Sequence, residues 1–215
     1  VILFLFVSLI IGERSNFVKT FLILFLFIFL IDNKNYKRKI FSIIIFLVAL
    51  SILTFNNSKF NDRLWGKFIS PLFTNPIELV SESKYGSHYK VALQVFMNNK
   101  LFGVGLKNYR EEVRDQKYDR DASIHPHQIH FEMLSELGII GYTLFLSIFI
   151  FNIIFAVKLF LIKKELLRLC GLLFIIASLI PLLPSGSFFT TFGAALFWFN
   201  FSFILPTNTK KIIHQ

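Results

Sequence analysis

The stretch "HPHQIHFEMLSELGIIGYTLFL", His125 to Leu146, changes character halfway along. Histidines crowd its first residues (His125, His127, His130), the carboxylates Glu132 and Glu136 follow, and after Gly141 the chain turns almost wholly apolar. The apolar run from Leu137 to Val157 is what a membrane-spanning helix requires, roughly 20 residues at 1.5 Å each. Titratable groups therefore stand at the entrance to a span.

Outward from this point the chain repeats the same kind of run. Apolar segments occupy Val1 to Ile11, Phe17 to Ile31, Ile40 to Phe55, Leu169 to Leu183 and Phe188 to Leu205. Hydrophobic residues make up 54% of the 215, Phe alone occurs 29 times, and mean hydropathy is +0.62. Unbroken runs rather than helical or strand spacing predict an all-α, polytopic transmembrane protein. Too few residues precede Gly12 for a spanning helix, so the chain reads as the C-terminal part of a longer protein. Without a basic n-region or A-x-A-like site, the first run reads poorly as a secretory signal.

The net charge of +10 does not point to nucleic acid, because the cations follow topology. Lys34, Lys37, Arg38 and Lys39 form one cluster, Lys158, Lys163, Lys164 and Arg168 a second, Lys210 and Lys211 a third, all beside apolar segments. Short basic connections mark the cytoplasmic face. This arrangement predicts transmembrane helices over 1–55 and 137–205, a cytoplasmic tail at 206–215, and a large loop at 56–136 on the opposite face, all in one integral-membrane domain. The lone Cys170 can form no intramolecular disulfide.

Within the loop, "HYKVALQVFMNN" predicts a helix, with Tyr89, Ala92, Leu93 and Phe96 at three- and four-residue spacing. Its apolar face would lie at the bilayer interface, roof a cavity between spans, or simply pack. "NNKLFGVGLKN" reads as a turn and "REEVRDQKYDRD" as a charged stretch, and the two prolines of "SPLFTNP" mark an irregular crossing. "GVGLKN" is no phosphate loop, since the third glycine, a preceding strand and a following GKS or GKT are all missing.

Arg14 is a second candidate site. A helix that ends at Ile31 and crosses about 30 Å begins near Gly12, which sets Arg14 and Lys19 in the outer part of the span. Charges at that depth line substrate or ion paths, unless "GERSN" is only a loop in which Glu13 pairs Arg14. The histidines pose a choice as well. On a helix begun by Pro126, His127 and His130 would lie about 60° apart and could share a metal ion, but Glu136 would lie nearly opposite His127 and no HExxH occurs. A general base suits a lone imidazole at a membrane surface, with a solvated histidine as the plain alternative. Gly138 and Gly141, three apart, let neighbouring membrane helices approach.

Together these pieces resemble the O-antigen ligase and polymerase superfamily of bacterial envelope glycan enzymes, from Gly12 to about Phe151. "FGVGLKNYR" (Phe102 to Arg110) is similar to that superfamily's G-x-G-x-x-N-F/Y turn. "HPHQIHFEMLSELGIIG" (His125 to Gly141) is similar to its HPHN signature with a downstream E-x-G-x-x-G, and "GERSN" to a shorter motif in which an arginine begins a span. The last two segments agree in hydropathy only. Gln128 stands where the family usually has Asn, and His88 where many members have Arg.

The resemblance implies a multi-pass enzyme of the bacterial inner membrane with its active site on the periplasmic side and the large loop periplasmic. It implies a metal-independent glycosyltransferase without cofactor, which takes a glycan from an undecaprenyl diphosphate carrier. The acceptor is a sugar hydroxyl on the lipid A core (ligase) or on a second lipid-linked glycan (polymerase). By the same resemblance His127 is the base that activates the acceptor, and Arg14 steadies the diphosphate leaving group. His88, Lys107 and Arg110 are candidates for a second diphosphate contact, and His125 and Glu136 complete the expected substrate-binding set. A transporter, with Arg14 and Lys19 as pathway charges, and a non-catalytic membrane scaffold are the readings from other classes.

Overall fold

A computed structural model describes residues 5, 7, 14–31, 36–56, 58–62, 65–66, 70–75, 85–114, 118 and 123–206. Most of the first apolar segment, Glu13, Lys34, Lys210, Lys211, most of the charged stretch after Arg114 and the tail from 207 onward lie outside them. Among the described residues the chain is all-helical, without a strand, and it divides into two compact units, Val1–Ser87 and His88–Gln215.

In the first unit α1 (Arg14–Ile31) and α2 (Tyr36–Asn56) carry the two expected apolar runs, followed by the short α3 (Ser58–Asn61) and α4 (Ser70–Thr74). Phenylalanines four apart share one face of α1. Phe17, Phe21, Phe25 and Phe29 accordingly form a ladder, with successive ring centroids 6.2, 6.2 and 4.6 Å apart. Lys39 Nζ donates to Phe29 O at 3.4 Å, placing a cation against the carbonyl end of α1.

The second unit holds α5 (Gly86–Asn98), α6 (Tyr109–Arg114), α7 (Ile129–Lys163), α8 (Leu166–Ser178) and α9 (Thr191–Ser202). Among the described residues α7 is the helix long and apolar enough to cross a membrane, while Ser15–Ile31 and α8 are apolar but shorter. Helices α7, α8 and α9 pack around Phe149, Ala156, Leu172, Ile175, Phe197 and Phe201. Helix α8 stops at Ser178 instead of running to Leu183. Pro181 and Pro184 have no amide with which to continue it.

Arg168, expected as a cytoplasmic anchor, is buried. Its guanidinium donates from Nη1 to Ile204 O (3.3 Å) and Leu205 O (3.2 Å) just past the end of α9, and from Nε to Glu165 Oε2 (3.0 Å). Arg168→Ala leaves those carbonyls bare and should cost about 2 kcal/mol, the worth of hydrogen bonds to a charged group. The check is a lowered thermal midpoint in detergent, with an unchanged midpoint counting against this role.

The face that α5 buries is rotated from the expected stripe. Tyr89, Val91, Ala92 and Val95 are buried, whereas Leu93 is exposed and Phe96 half-buried. Val91, Ala92 and Val95 pack with Tyr109 and Tyr118 against Val104, Val113 and Phe131. Tyr89 and Ala92 of the expected stripe are buried, and Val91 and Val95 take the places expected of Leu93 and Phe96.

Gly138 breaks α7. Its φ of 64° and ψ of −171° are not helical. In an unbroken helix the amides of Ile139 and Ile140 would bond to the carbonyls of Ser135 and Glu136. Instead Ile139 N donates to Lys100 O (2.8 Å) and Ile140 N to Leu101 O (3.3 Å). The freed Ser135 and Glu136 carbonyls accept from Val104 N (3.0 Å) and Gly105 N (2.9 Å). The glycine turn is thus inserted into the broken ladder, and all four orphaned backbone groups are satisfied. Its approach is so close that a Cβ on Gly138 would overlap the Leu101 carbonyl, and one on Gly103 the backbone of Glu136. Gly138 therefore does not serve helix-to-helix packing, as its spacing to Gly141 suggested. It admits a loop.

Candidate functional site

Several residues of the "FGVGLKNYR" turn hold it in place. Gly103 (φ 68°) and Gly105 (φ 94°) take left-handed conformations, as a tight turn requires. Asn108 Nδ2 donates to Val104 O at 3.0 Å, and the Asn108 carbonyl accepts from Glu111 N and Glu112 N, both at 3.0 Å, to start α6. Tyr109 is buried in the α5 cluster. Glu136 closes the arrangement from the other side. Buried on α7, its Oε2 accepts from Lys107 N at 2.7 Å, and its carboxylate also binds the amide of Tyr109. The two motifs found separately in the sequence are one folded object.

The histidine turn lies one short step upstream. His127 has φ 56°, a left-handed residue rather than a helical one, and α7 begins only at Ile129. Gln128 is the N-cap, with Oε1 accepting from His130 N (2.7 Å) and Phe131 N (3.1 Å) while Nε2 donates to Ile180 O (3.4 Å). Asparagine is among the best N-caps, and the longer Gln128 fills that place here while reaching a second partner. The departure from the family pattern is thus accommodated in the cap.

Because His127 precedes the helix, the shared helical face with His130 does not exist. His130 Nε2 meets Leu179 O at 2.8 Å, and a carbonyl only accepts, so the ring proton sits on Nε2 and Nδ1 accepts from Tyr142 Oη at 3.0 Å. The rings that gather are His127, His125 and His88. The centroid of His127 is 3.8 Å from that of His125 and 5.1 Å from that of His88. His88 Nδ1 accepts from Ser123 N at 3.0 Å, which assigns its proton to Nε2 and makes it a neutral ring. Burial, and then the neighbouring His88, hold the His125 imidazole below the ordinary histidine value. Among the described residues no group of three or more His, Cys, Asp or Glu is arranged to hold a metal ion.

The segment 179–188, between α8 and α9, gave no signal beyond hydropathy, yet it walls this turn. Besides the carbonyls of Leu179 and Ile180, Leu182 O accepts from Tyr89 Oη (3.3 Å) and Ser185 N donates to His127 O (2.7 Å). Glu132, buried in the first turn of α7, accepts from Ser187 Oγ and from Phe188 N (2.7 Å). Most of these ties run to main-chain atoms, which no side-chain pattern announces.

Of the expected site residues, the structure brings His88, His125 and His127 together, and Lys107 with Glu136, the latter pair through the Lys107 amide while its side chain is exposed. Arg110 is exposed, its Nε 3.6 Å from Glu111 Oε1. Arg14 is the first residue of α1 in the other unit, and Lys19, on the same helix, is half-buried.

Through α7 the G-x-G turn and the HPHQ turn are held in one unit. The family model described as O-antigen ligase matches residues 1–146, which include both turns and α1. The chain belongs to the O-antigen ligase family. Membership carries glycan transfer of the O-antigen ligase or polymerase type, in a bacterial membrane, on lipid-linked glycans. Neither the search of curated proteins nor that of solved structures gave a match. In this O-antigen ligase family chain the residues outside the matched span, from 147 onward, include the 179–188 wall of the histidine turn.

Proposed function

We propose that this O-antigen ligase family chain joins a glycan carried on undecaprenyl diphosphate to a sugar hydroxyl of the lipid A core. It does so as a multi-pass protein of the inner membrane, with the histidine turn on the periplasmic side. The observation that supports this most is the setting of His127. Its backbone is fixed by the Ser185 amide and the α7 cap, its ring is held among His125 and His88, and the helix beneath it is apolar enough to enter a bilayer. Such a fixed imidazole suits a reaction between a lipid-anchored donor and a polar acceptor at an interface.

In this mechanism His127 takes the proton of the acceptor hydroxyl as its oxygen attacks the anomeric carbon. The bond from that carbon to the diphosphate oxygen breaks, its electron pair leaves with undecaprenyl diphosphate, and the anomeric centre inverts. Arg14 steadies the developing negative charge, since a guanidinium pairs bidentately with phosphate oxygens and keeps its charge at any pH. No metal enters these steps.

Arg14 supplies the test. In the native host, at normal membrane levels of the protein, Arg14→Ala should lower transfer by about 10²-fold or more, the usual loss for one transition-state electrostatic contact. Arg14→Lys should recover part of it. Lipid-linked precursor should accumulate while glycan-capped lipid A core disappears. Retained single-unit capping with loss of longer chains would instead identify a polymerase, and unchanged glycans would favour a transporter or scaffold.

A further inference from the structure

We propose that the tip of the glycine turn, Leu101, Phe102 and Leu106, is inserted into the outer interfacial layer of the bilayer beside α7. These side chains are 59%, 72% and 59% exposed, with Leu101 and Phe102 at the Ile139 level of the rigid turn and Leu106 just past Gly105, at the Glu136 level. Their height is set by backbone bonds. The turn runs antiparallel to α7, with Val104 and Gly105 against Ser135 and Glu136, and Lys100 and Leu101 against Ile139 and Ile140. Its Leu101–Phe102 end is therefore the one directed down the span.

The level of Ile139 is where the hydrocarbon layer should begin. The first cation below it on α7 is Lys158, and from Ile139 to Val157 the helix rises about 27 Å, close to the ~30 Å hydrocarbon thickness. Ile139, Ile140, Leu144, Ile148 and Phe151 are all exposed along that stretch, as lipid-facing residues are. The tip continues this apolar surface at its upper edge. Exposed Lys100 and Lys107 flank it, long cationic side chains that can reach headgroup phosphates from an apolar anchor. Lipid, rather than a protein partner, is the occupant this continuity favours. The inserted tip would fix the height of the histidine turn, to which it is joined through α7.

The experiment uses the intact protein with Cys170→Ser and a single new cysteine carrying an environment-sensitive nitrobenzoxadiazole label. The protein is reconstituted in phosphatidylethanolamine and phosphatidylglycerol vesicles with doxyl quenchers attached either near the headgroup or deep in the acyl chain. At Phe102→Cys the emission should be blue-shifted from that of a label at exposed Lys90→Cys, and shallow quenchers should remove most of it, deep ones less. Leu106→Cys should behave alike and serves if the first variant folds poorly. A label at Phe151→Cys should respond to deep quenchers, which tests the span itself apart from the tip. Emission at Phe102 equal to that at Lys90 would overturn the proposal. So would a blue shift that neither quencher affects, which would mean the tip is covered by protein.

Discussion

Gly138→Ala should strongly destabilise the second unit, and it is the substitution with the largest expected effect on stability. Two costs fall on one methyl group. The left-handed φ of 64° strains any residue with a Cβ, and the new carbon would overlap the carbonyl of Leu101, part of a backbone that cannot move away because Lys100 and Leu101 are bonded to Ile139 and Ile140. Together these should exceed about 3 kcal/mol, a large part of the 5–15 kcal/mol that typically holds a protein folded. Gly186→Ala is the control, because a Cβ there meets nothing within 4 Å. Size-exclusion profiles and thermal midpoints in detergent should show Gly138→Ala depleted or aggregated and Gly186→Ala unchanged. A wild-type midpoint for Gly138→Ala would mean the glycine turn is not inserted in α7.

His127→Ala should have the largest effect on activity, a fall in transfer of about 10³-fold, within the range a general base contributes. The fold should survive, because the bond from the Ser185 amide to the His127 carbonyl and the Gln128 cap of α7 are both kept when alanine replaces the imidazole. Acid should mimic the variant in part. His88 is held with its proton on Nε2 and His125 sits below the ordinary histidine value, so the folded cluster favours neutral rings. Protons bind the unfolded chain more readily as pH falls below about 6.5, which destabilises this arrangement, and transfer should decline on that side of a pH profile. Retention of full transfer at low pH would show that neutral imidazole is not required.

The helical runs and a histidine-rich turn ahead of a long apolar helix could be read from the sequence, because hydropathy and residue chemistry are carried by side chains. The α5 helix was found but rotated, since Val91 and Val95 weigh less in a periodic pattern than Leu93 and Phe96, although the valines are buried. His127 and His130 looked like neighbours on one helix, and the left-handed φ of His127 and the extended Gln128 separate them. Glu136, placed in the substrate-binding set by resemblance, bonds backbone amides that no side-chain pattern announces, and Gly138 passed for a packing residue because its actual contact is the backbone of Leu101. The 179–188 wall was invisible for the same reason. Long-range main-chain hydrogen bonds leave little trace in a single sequence.

The most direct measurement uses wild type and His127→Ala purified side by side in proteoliposomes, with equal thermal midpoints, and follows donor binding and glycan transfer on the same preparations. His127→Ala should bind the undecaprenyl-diphosphate-linked donor about as well as wild type while transfer falls about 10³-fold, because the base acts on the acceptor hydroxyl. Transfer at the wild-type rate, or a loss explained wholly by weaker donor binding, would contradict it.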